Sequence, residues 1–173
     1  MGRLSVALVH HPVLDAKGET STSTLTTMDV HDLSRSARTY GCEALYIVHP
    51  IPAQRELAHR IVDHWTHGSS AKRIPDRKDA LAIVRVVPSI EDAVLAMKKD
   101  HPGGEVESWV TAARVVGKTS TSWSDARALA RQERQEGQEG QPERPILLLF
   151  GTSWGLAPSV IDGAHLVLDP IHG

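Results

Sequence analysis

The segment Asp29-Val30-His31-Asp32-Leu33-Ser34-Arg35-Ser36-Ala37-Arg38-Thr39-Tyr40-Gly41 places two acids, a histidine and two arginines within ten residues. On a helix, Asp32 and Arg35 share a face at a spacing of three, and His31 and Arg35 share one at four. A histidine whose ordinary pKa lies near neutrality suits a proton acceptor. The same residues also describe a solvated face of ion pairs, each worth about 0.5 kcal/mol or less. A second constellation is Phe150-Gly151-Thr152-Ser153-Trp154-Gly155-Leu156, a turn between an apolar run and a helix. Its two glycines permit positive φ and let a ligand approach the backbone, although a tight connection has the same composition. No Gly-Lys-Ser/Thr follows, so it is not a Walker loop, and the three-glycine dinucleotide spacing is absent. Trp154 is either a core plug or a flat wall for a ring.

Two further turns follow other apolar runs: Thr111-Ala112-Ala113-Arg114, and Asp169-Pro170-Ile171-His172-Gly173 after Leu168. Three such loops could converge on one pocket. Lys72, Arg73, Arg77 and Lys78 form a compact basic stretch that could dock phosphates or simply face water. His10, His11 and Asp15 could serve a hydrolase, but neither a nucleophile elbow nor a metal cluster accompanies them. The ten histidines follow no metal-ligand spacing, so no metal is expected. The lone Cys42 excludes an internal disulfide framework and a cysteine-based zinc site.

The elements that must position these residues follow from the apolar pattern. Leu4 to Val9 predicts a strand, residues 10–24 a loop, and Thr27 to Tyr40 a helix stopped by Gly41. Ala44 to Val48 predicts a strand and Pro52 to Thr66 a proline-started helix. A polar stretch over 68–79 precedes a strand at Leu81 to Val86 and a helix capped by Ser89 and Asp92. Ser108 to Ala112 predicts a strand, Ser122 to Gln135 a helix, and Gln135 to Arg144 a low-complexity loop. Pro145 to Phe150 and Leu166 to Leu168 complete the strands. Alternating strands and helices predict an α/β fold, a parallel sheet covered by helices on both faces. Ligands then bind at the carboxyl ends of strands, after Val9, Val48, Val110, Phe150 and Leu168. With 173 residues, 40% hydrophobic and 23% charged, the chain fits one domain of ordinary globular composition. A net charge of −2 gives no overall basic field, so any nucleic-acid contact must come from a local cluster. No signal peptide or membrane-length apolar run is present, so a cytoplasmic protein without membrane contact is expected.

Taken in order, these segments resemble the SPOUT superfamily of RNA methyltransferases. Asp29, Arg35 and Gly41 fall on the spacing of its first motif, Ile146 to Leu156 on its second, and Leu166 to Gly173 on its third. The resemblance spans nearly the whole chain. It implies a single domain over 1–173 with a C-terminal trefoil knot, a homodimer, and a tRNA or rRNA substrate. It also implies S-adenosylmethionine bent among three loops, contributed by Thr111, Ala112 and Arg114; by Phe150, Gly151, Thr152, Trp154, Gly155 and Leu156; and by Leu168, Asp169, Pro170, Ile171 and Gly173. Arg35 would orient the acceptor and contact phosphate, with Asp29, His31 or Asp32 as proton acceptor. Arg38, Lys72, Arg73, Arg77 and Lys78 would bind RNA. The family continues past its last glycine into a helix, so either that helix is expected beyond Gly173 or the knot closes differently. Asp29 stands where the ribose-methylating branch carries Asn, leaving ribose oxygen and base nitrogen both open as acceptors. A chain that binds S-adenosylmethionine without catalysis, as an interaction protein, is the alternative.

Overall fold

The chain runs β1 (Leu4–Val9), β2 (Val13–Leu14), β3 (Thr20–Ser21), α1 (Thr27–Thr39), β4 (Leu45–Val48), α2 (Pro52–Thr66), α3 (Pro75–Leu81), β5 (Val84–Val87), α4 (Ile90–Asp100), β6 (Glu107–Val110), α5 (Trp123–Gln135), β7 (Ile146–Gly151), α6 (Pro158–Gly163) and β8 (Leu166–Val167). The computed structural model describes residues 3–67, 73–114, 119–135 and 144–171. Six strands form one sheet in the order β5-β4-β1-β7-β6-β8, every pairing parallel. β1 lies inside it, with Val6 opposite Leu45 on one side and Leu148 on the other.

Alternation along the strands divides the core into two faces. Ala7, Val9, Tyr46, Val48, Leu147 and Leu149 pack toward Ala93 and Met97 of α4 and Val160 of α6. Leu8, Leu45 and Ile47 pack toward Val30 and Ala37 of α1, Ala58 of α2 and Leu81 of α3. Farther along that second face, Ile146, Trp109 and Leu148 meet Ala126 and Ala130 of α5. All four residues of β4 are buried, which explains why its sequence has no polar alternate. At the amino-terminal edge, His101 bridges the chain ends of several elements, accepting from Arg3 at Nδ1 and donating from Nε2 to Glu43 at 2.9 Å.

The covered parallel sheet is the architecture expected from the sequence; three local differences stand out. Leu81 closes helix α3 instead of opening a strand, and β5 begins at Val84. Pro75 starts this helix, since its missing N–H removes no intrahelical bond in the first turn, and buried Ala80 and Leu81 hold it inward. Within the 10–24 loop, Val13–Leu14 and Thr20–Ser21 pair as a short antiparallel hairpin. β6 ends at Val110, two residues earlier than expected, where Thr111 makes a last contact by giving both its amide and its hydroxyl to the Leu149 carbonyl at 3.2 Å each. Among the described residues no helix is long and apolar enough to cross a membrane.

Ile47 is wholly buried between β1 and β5 beneath α1 and α2, so Ile47→Ala is expected to lower unfolding free energy by about 2–5 kcal/mol in urea titration. A loss below about 1 kcal/mol would contradict this packing.

Candidate functional site

The carboxyl ends of β4, β1, β7, β6 and β8 share one edge of the sheet, where parallel architectures bind ligands. β7 ends in the turn that carries both of its glycines. A Cβ on Gly151 would lie 2.5 Å from the Leu156 nitrogen and 2.8 Å from the Gly155 carbonyl carbon, so only glycine fits there. Beyond it Ser153 takes φ +54° and Gly155 φ +105°. The turn is anchored from both sides. Thr152 donates its amide to Val9 O at 3.2 Å, Trp154 donates to Leu14 O at 3.2 Å, and Leu14 donates to Gly155 O at 2.9 Å. Phe150 packs into the α1–α2 face, and Leu156 is buried in the other. Trp154 is no core plug: its side chain is 70% exposed.

Beneath this turn lies a polar cluster. Thr152 Oγ1 donates to Val9 O at 3.1 Å, so it accepts the hydroxyl hydrogen of Ser23. Ser23 Oγ in turn accepts from His10 Nδ1 at 2.9 Å, which leaves His10 Nε2 as a bare acceptor. That atom is buried without a hydrogen-bond partner. His49 stacks on His10 at 5.2 Å between ring centroids, donates from Nε2 to Ser23 O at 2.9 Å and accepts the Ile51 amide at Nδ1. Burial above all, then neighbouring His49, lowers the His10 pKa to about 4, against a small opposing pull from Asp29. His49 is lowered too, chiefly by burial, with the Ser23 carbonyl opposing. Sequence analysis missed this cluster as a unit. The available signal was that each histidine directly follows a fully apolar strand, in Ala7-Leu8-Val9-His10 and Tyr46-Ile47-Val48-His49.

The neighbouring loops join the same edge. Leu168 donates to Val110 O at 2.9 Å, and residues 119–121 run beside it, with Thr121 donating to Val167 O at 2.8 Å. Asp169 receives the Ser120 hydroxyl on its carboxylate and the Trp123 indole N–H on its carbonyl at 2.9 Å. Thr111, Ala112 and Pro170 are half-buried, whereas Arg114 and Ile171 are exposed. Of the expected cofactor residues, those after β6, β7 and β8 therefore lie on neighbouring strand ends; Gly173 falls outside the described residues.

Helix α1 approaches this edge by its amino end. Thr26 caps it, with Thr26 N donating to Asp29 Oδ2 at 2.7 Å and Asp29 N donating to Thr26 Oγ1 at 3.2 Å. The capping box commits the Asp29 carboxylate to a structural bond. Arg35 stands about 9 Å farther along the axis. It meets Asp32 at only 3.9 Å, both side chains 62% exposed, a pair too solvated to hold either. His31 packs edge-on to Trp65 at 5.5 Å, and its Nδ1 is buried without a partner. Burial first, then Arg77, lowers the His31 pKa, Asp32 opposing. The Arg77 guanidinium lies over the same Trp65 ring at 4.5 Å. Thus α3 brings Arg77 to α1, while Arg38, Arg73 and Lys78 stay exposed. Lys72 falls outside the described residues. Of the hydrolase trio, Asp15 accepts the Lys17 and Glu19 amides at the hairpin tip, and His11 Nδ1 bonds Ser21 O and Thr22 Oγ1. Among the described residues no group of histidine, cysteine and acidic side chains is placed to hold a metal.

A parallel sheet with backbone-rich loops gathered on its carboxyl edge defines an α/β domain of the kind that takes ligands at its strand ends. The family model described as "SAM-dependent RNA methyltransferase" matches residues 3–173, and the chain belongs to that family. It is 36% identical over 168 residues to a tRNA (guanine-N(1)-)-methyltransferase of Oleidesulfovibrio alaskensis, covering 97% of this chain and 36% of that protein. A protein of the same name from Nitratidesulfovibrio vulgaris is 33% identical with the same coverage. The chain thus spans about a third of the length of these curated relatives. Its fold is similar to that of a probable methyltransferase from Bordetella pertussis Tohama I, with a TM-score of 0.62 at 16% identity over 99% of this chain and 83% of that one.

The buried neutral histidines set a pH dependence. The unfolded chain takes up a proton at His10 near pH 6.5, whereas the folded chain holds it neutral down to about 4. Stability is therefore full above about pH 6.5 and falls by on the order of 3 kcal/mol as pH drops to about 4. Urea titrations at pH 7.5, 6 and 5 should show that decline, and His10→Asn should flatten it; an unchanged slope would remove His10 as its source.

Proposed function

We propose that this chain methylates a nucleotide of tRNA or rRNA as a single SPOUT-like domain over 1–173, with a C-terminal trefoil knot, working as a cytoplasmic homodimer. The observation that carries the proposal is the meeting, on one sheet edge, of the loops after β6, β7 and β8 with the amino end of α1. The pairing of 119–121 beside 167–169 supports a chain crossing of the knotted kind. For the homodimer, support comes from a groove of about 790 Å³ on the α4–α6 face, lined by Ile90, Val94, Leu95, Leu149 and Val160, where Leu95 is over half exposed.

The loops fit S-adenosylmethionine chemically. Gly155 has open space where a side chain would stand, and Thr111, Ala112 and Pro170 present small side chains and backbone polar groups. Bound there, the cofactor supplies an electrophilic methyl group on a sulfonium. The protein's own task is then positioning. Exposed Arg35 holds a phosphate or the acceptor group, and Arg38, Arg73, Arg77 and Lys78 dock the surrounding backbone. His31 is the side chain assigned to take the acceptor's proton, since burial lowers its pKa and keeps it neutral at physiological pH. Asp29 keeps the start of α1 in place through the cap, and Asp32 tempers the charge of Arg35. The name borne by the two relatives makes a tRNA guanine the first acceptor to try.

Calorimetric titration with S-adenosylhomocysteine, with ATP and NAD as controls, should give selective binding on the order of micromolar, about 8 kcal/mol. Absence of binding would remove the cofactor assignment. Arg35→Ala should retain that affinity while methyl transfer to unmodified bulk tRNA and rRNA falls roughly 100-fold, the scale of a lost positioning group. Full activity in that variant would exclude Arg35 from the site.

A further inference from the structure

Trp154 presents an indole to solvent from the most constrained turn on the ligand edge. An exposed indole forgoes the burial that usually stabilises so large an apolar group. Here the exposure is built in by the backbone. Trp154 follows Ser153, the only non-glycine residue at positive φ among the described residues, and precedes Gly155 at φ +105°. Its amide is held by Leu14 O, and the next carbonyl is held by Leu14 N, so strand β2 grips the peptide on both sides. Behind it, the close approach of Gly151 to Leu156 and the Ser23–Thr152 bond fix the base of the turn. Backbone strain of this kind persists where the surroundings over-determine it, and such places cluster at ligand sites. The main chain is thus ordered in advance, and only the side-chain torsions remain for a ligand to settle.

We propose that Trp154 is the stacking platform for a nucleobase of the RNA substrate, and not a wall of the cofactor site. The inference rests on the RNA substrate proposed above. A small ligand buries most of its surface and is met by inward-facing groups. A ring left 70% exposed faces outward, toward a partner large enough to reach over the rim. RNA sequences are read chiefly where bases are unstacked, and an unstacked base rests on an aromatic face. The turn lies at the end of β7, between the ends of β1 and β6, so a base on Trp154 sits at the mouth of the edge where the other loops gather. Arg35 and the Arg77–Trp65 pair belong to the α1–α3 surface and take backbone phosphates, a separate contact.

The test compares the full chain with Trp154→Ala, Trp154→Phe and Trp154→Leu. Readouts are S-adenosylhomocysteine affinity, affinity for a single-stranded oligoribonucleotide without cofactor, KM and kcat on unmodified bulk tRNA and rRNA, and mass in solution. Trp154→Ala is expected to bind RNA about tenfold more weakly and raise KM to match, while S-adenosylhomocysteine affinity stays within twofold. Phe should restore most of the RNA affinity and Leu should not, which separates stacking from bulk. A parallel loss of S-adenosylhomocysteine binding would overturn the proposal in favour of a cofactor wall. Conversion to a lighter species would overturn it in favour of an interface between copies. Unchanged RNA affinity would overturn it outright. A wild-type chain that binds no S-adenosylhomocysteine would count against the methyltransferase proposal instead, and the cofactor-free oligoribonucleotide titration still decides the platform.

Discussion

Ser23 binds the ends of three strands at once. Its hydroxyl links His10, which follows β1, to Thr152, which follows β7, and its carbonyl receives the N–H of His49, which follows β4. A residue just past the β2–β3 hairpin thereby closes one edge of the sheet. The arrangement requires both imidazoles to be neutral, since His49 Nδ1 accepts the Ile51 amide and a proton on buried His10 Nε2 would find no acceptor. Burial supplies the neutrality: water that would favour the charged forms is excluded, and the stacked rings disfavour charging each other. The segment then runs two residues on to Leu25, whose amide is taken by Gln54, and on to the Thr26 cap. The start of α1 is in this way placed relative to the β7 turn through a short, fully bonded path.

The two faces of the sheet serve different ends. One carries α1, α2, α3 and α5, each with exposed arginine or lysine side chains on its outer surface. The other has only α4 and the short α6 over its core, which leaves apolar side chains such as Leu95 in water. A chain with a net charge of −2 cannot attract a polyanion from a distance by its total field. On the α1–α3 surface Arg35, Arg38, Arg77 and Lys78 are balanced by Asp29, Asp32, Asp76 and Asp79, so these basic side chains can act on a polyanion only by direct contact. Trp65 contributes to that surface indirectly, since its ring accepts Arg77 on one face and so holds the guanidinium in place.

Much of this was legible in the amino-acid sequence. The buried strands were readable because parallel strands covered on both sides need unbroken apolar runs, as in Leu45–Val48 and Ile146–Phe150. The capping pair Ser89–Asp92 was readable because a cap is local, and it forms as expected. The family was readable from ordered motif spacing. Helix α3 was not, because its first residues are polar and its inward residues are only Ala80 and Leu81, too few to make a periodic signal. The role of Asp29 was read as chemical, and the structure adds a local bond to Thr26 that spacing alone does not weigh. The His10–Ser23–His49 cluster was not legible as a unit because the β1–α1–β4 crossover is what brings His49 to the loop that carries His10 and Ser23. Trp154 was ambiguous for a related reason: whether a turn residue faces inward depends on a backbone conformation set by Gly151, Ser153 and Gly155 together.

The placement of β1 between β4 and β7 has a consequence for how the molecule comes into being. β1 precedes the other strands of its sheet, and its β4 neighbour follows within a few tens of residues. Its other neighbour, β7, emerges from the ribosome about a hundred residues after β4, which at ~5–20 residues per second is roughly 5–20 s later. Until then the apolar flank of β1 has no strand beside it. The nascent chain must therefore wait with half of its central strand unpaired, and the edge that would take cofactor and RNA is completed only once β7 and β8 have emerged. A ribosome that pauses within the Gln- and Glu-rich stretch before β7 would lengthen that wait, so translation speed there bears on the yield of folded protein.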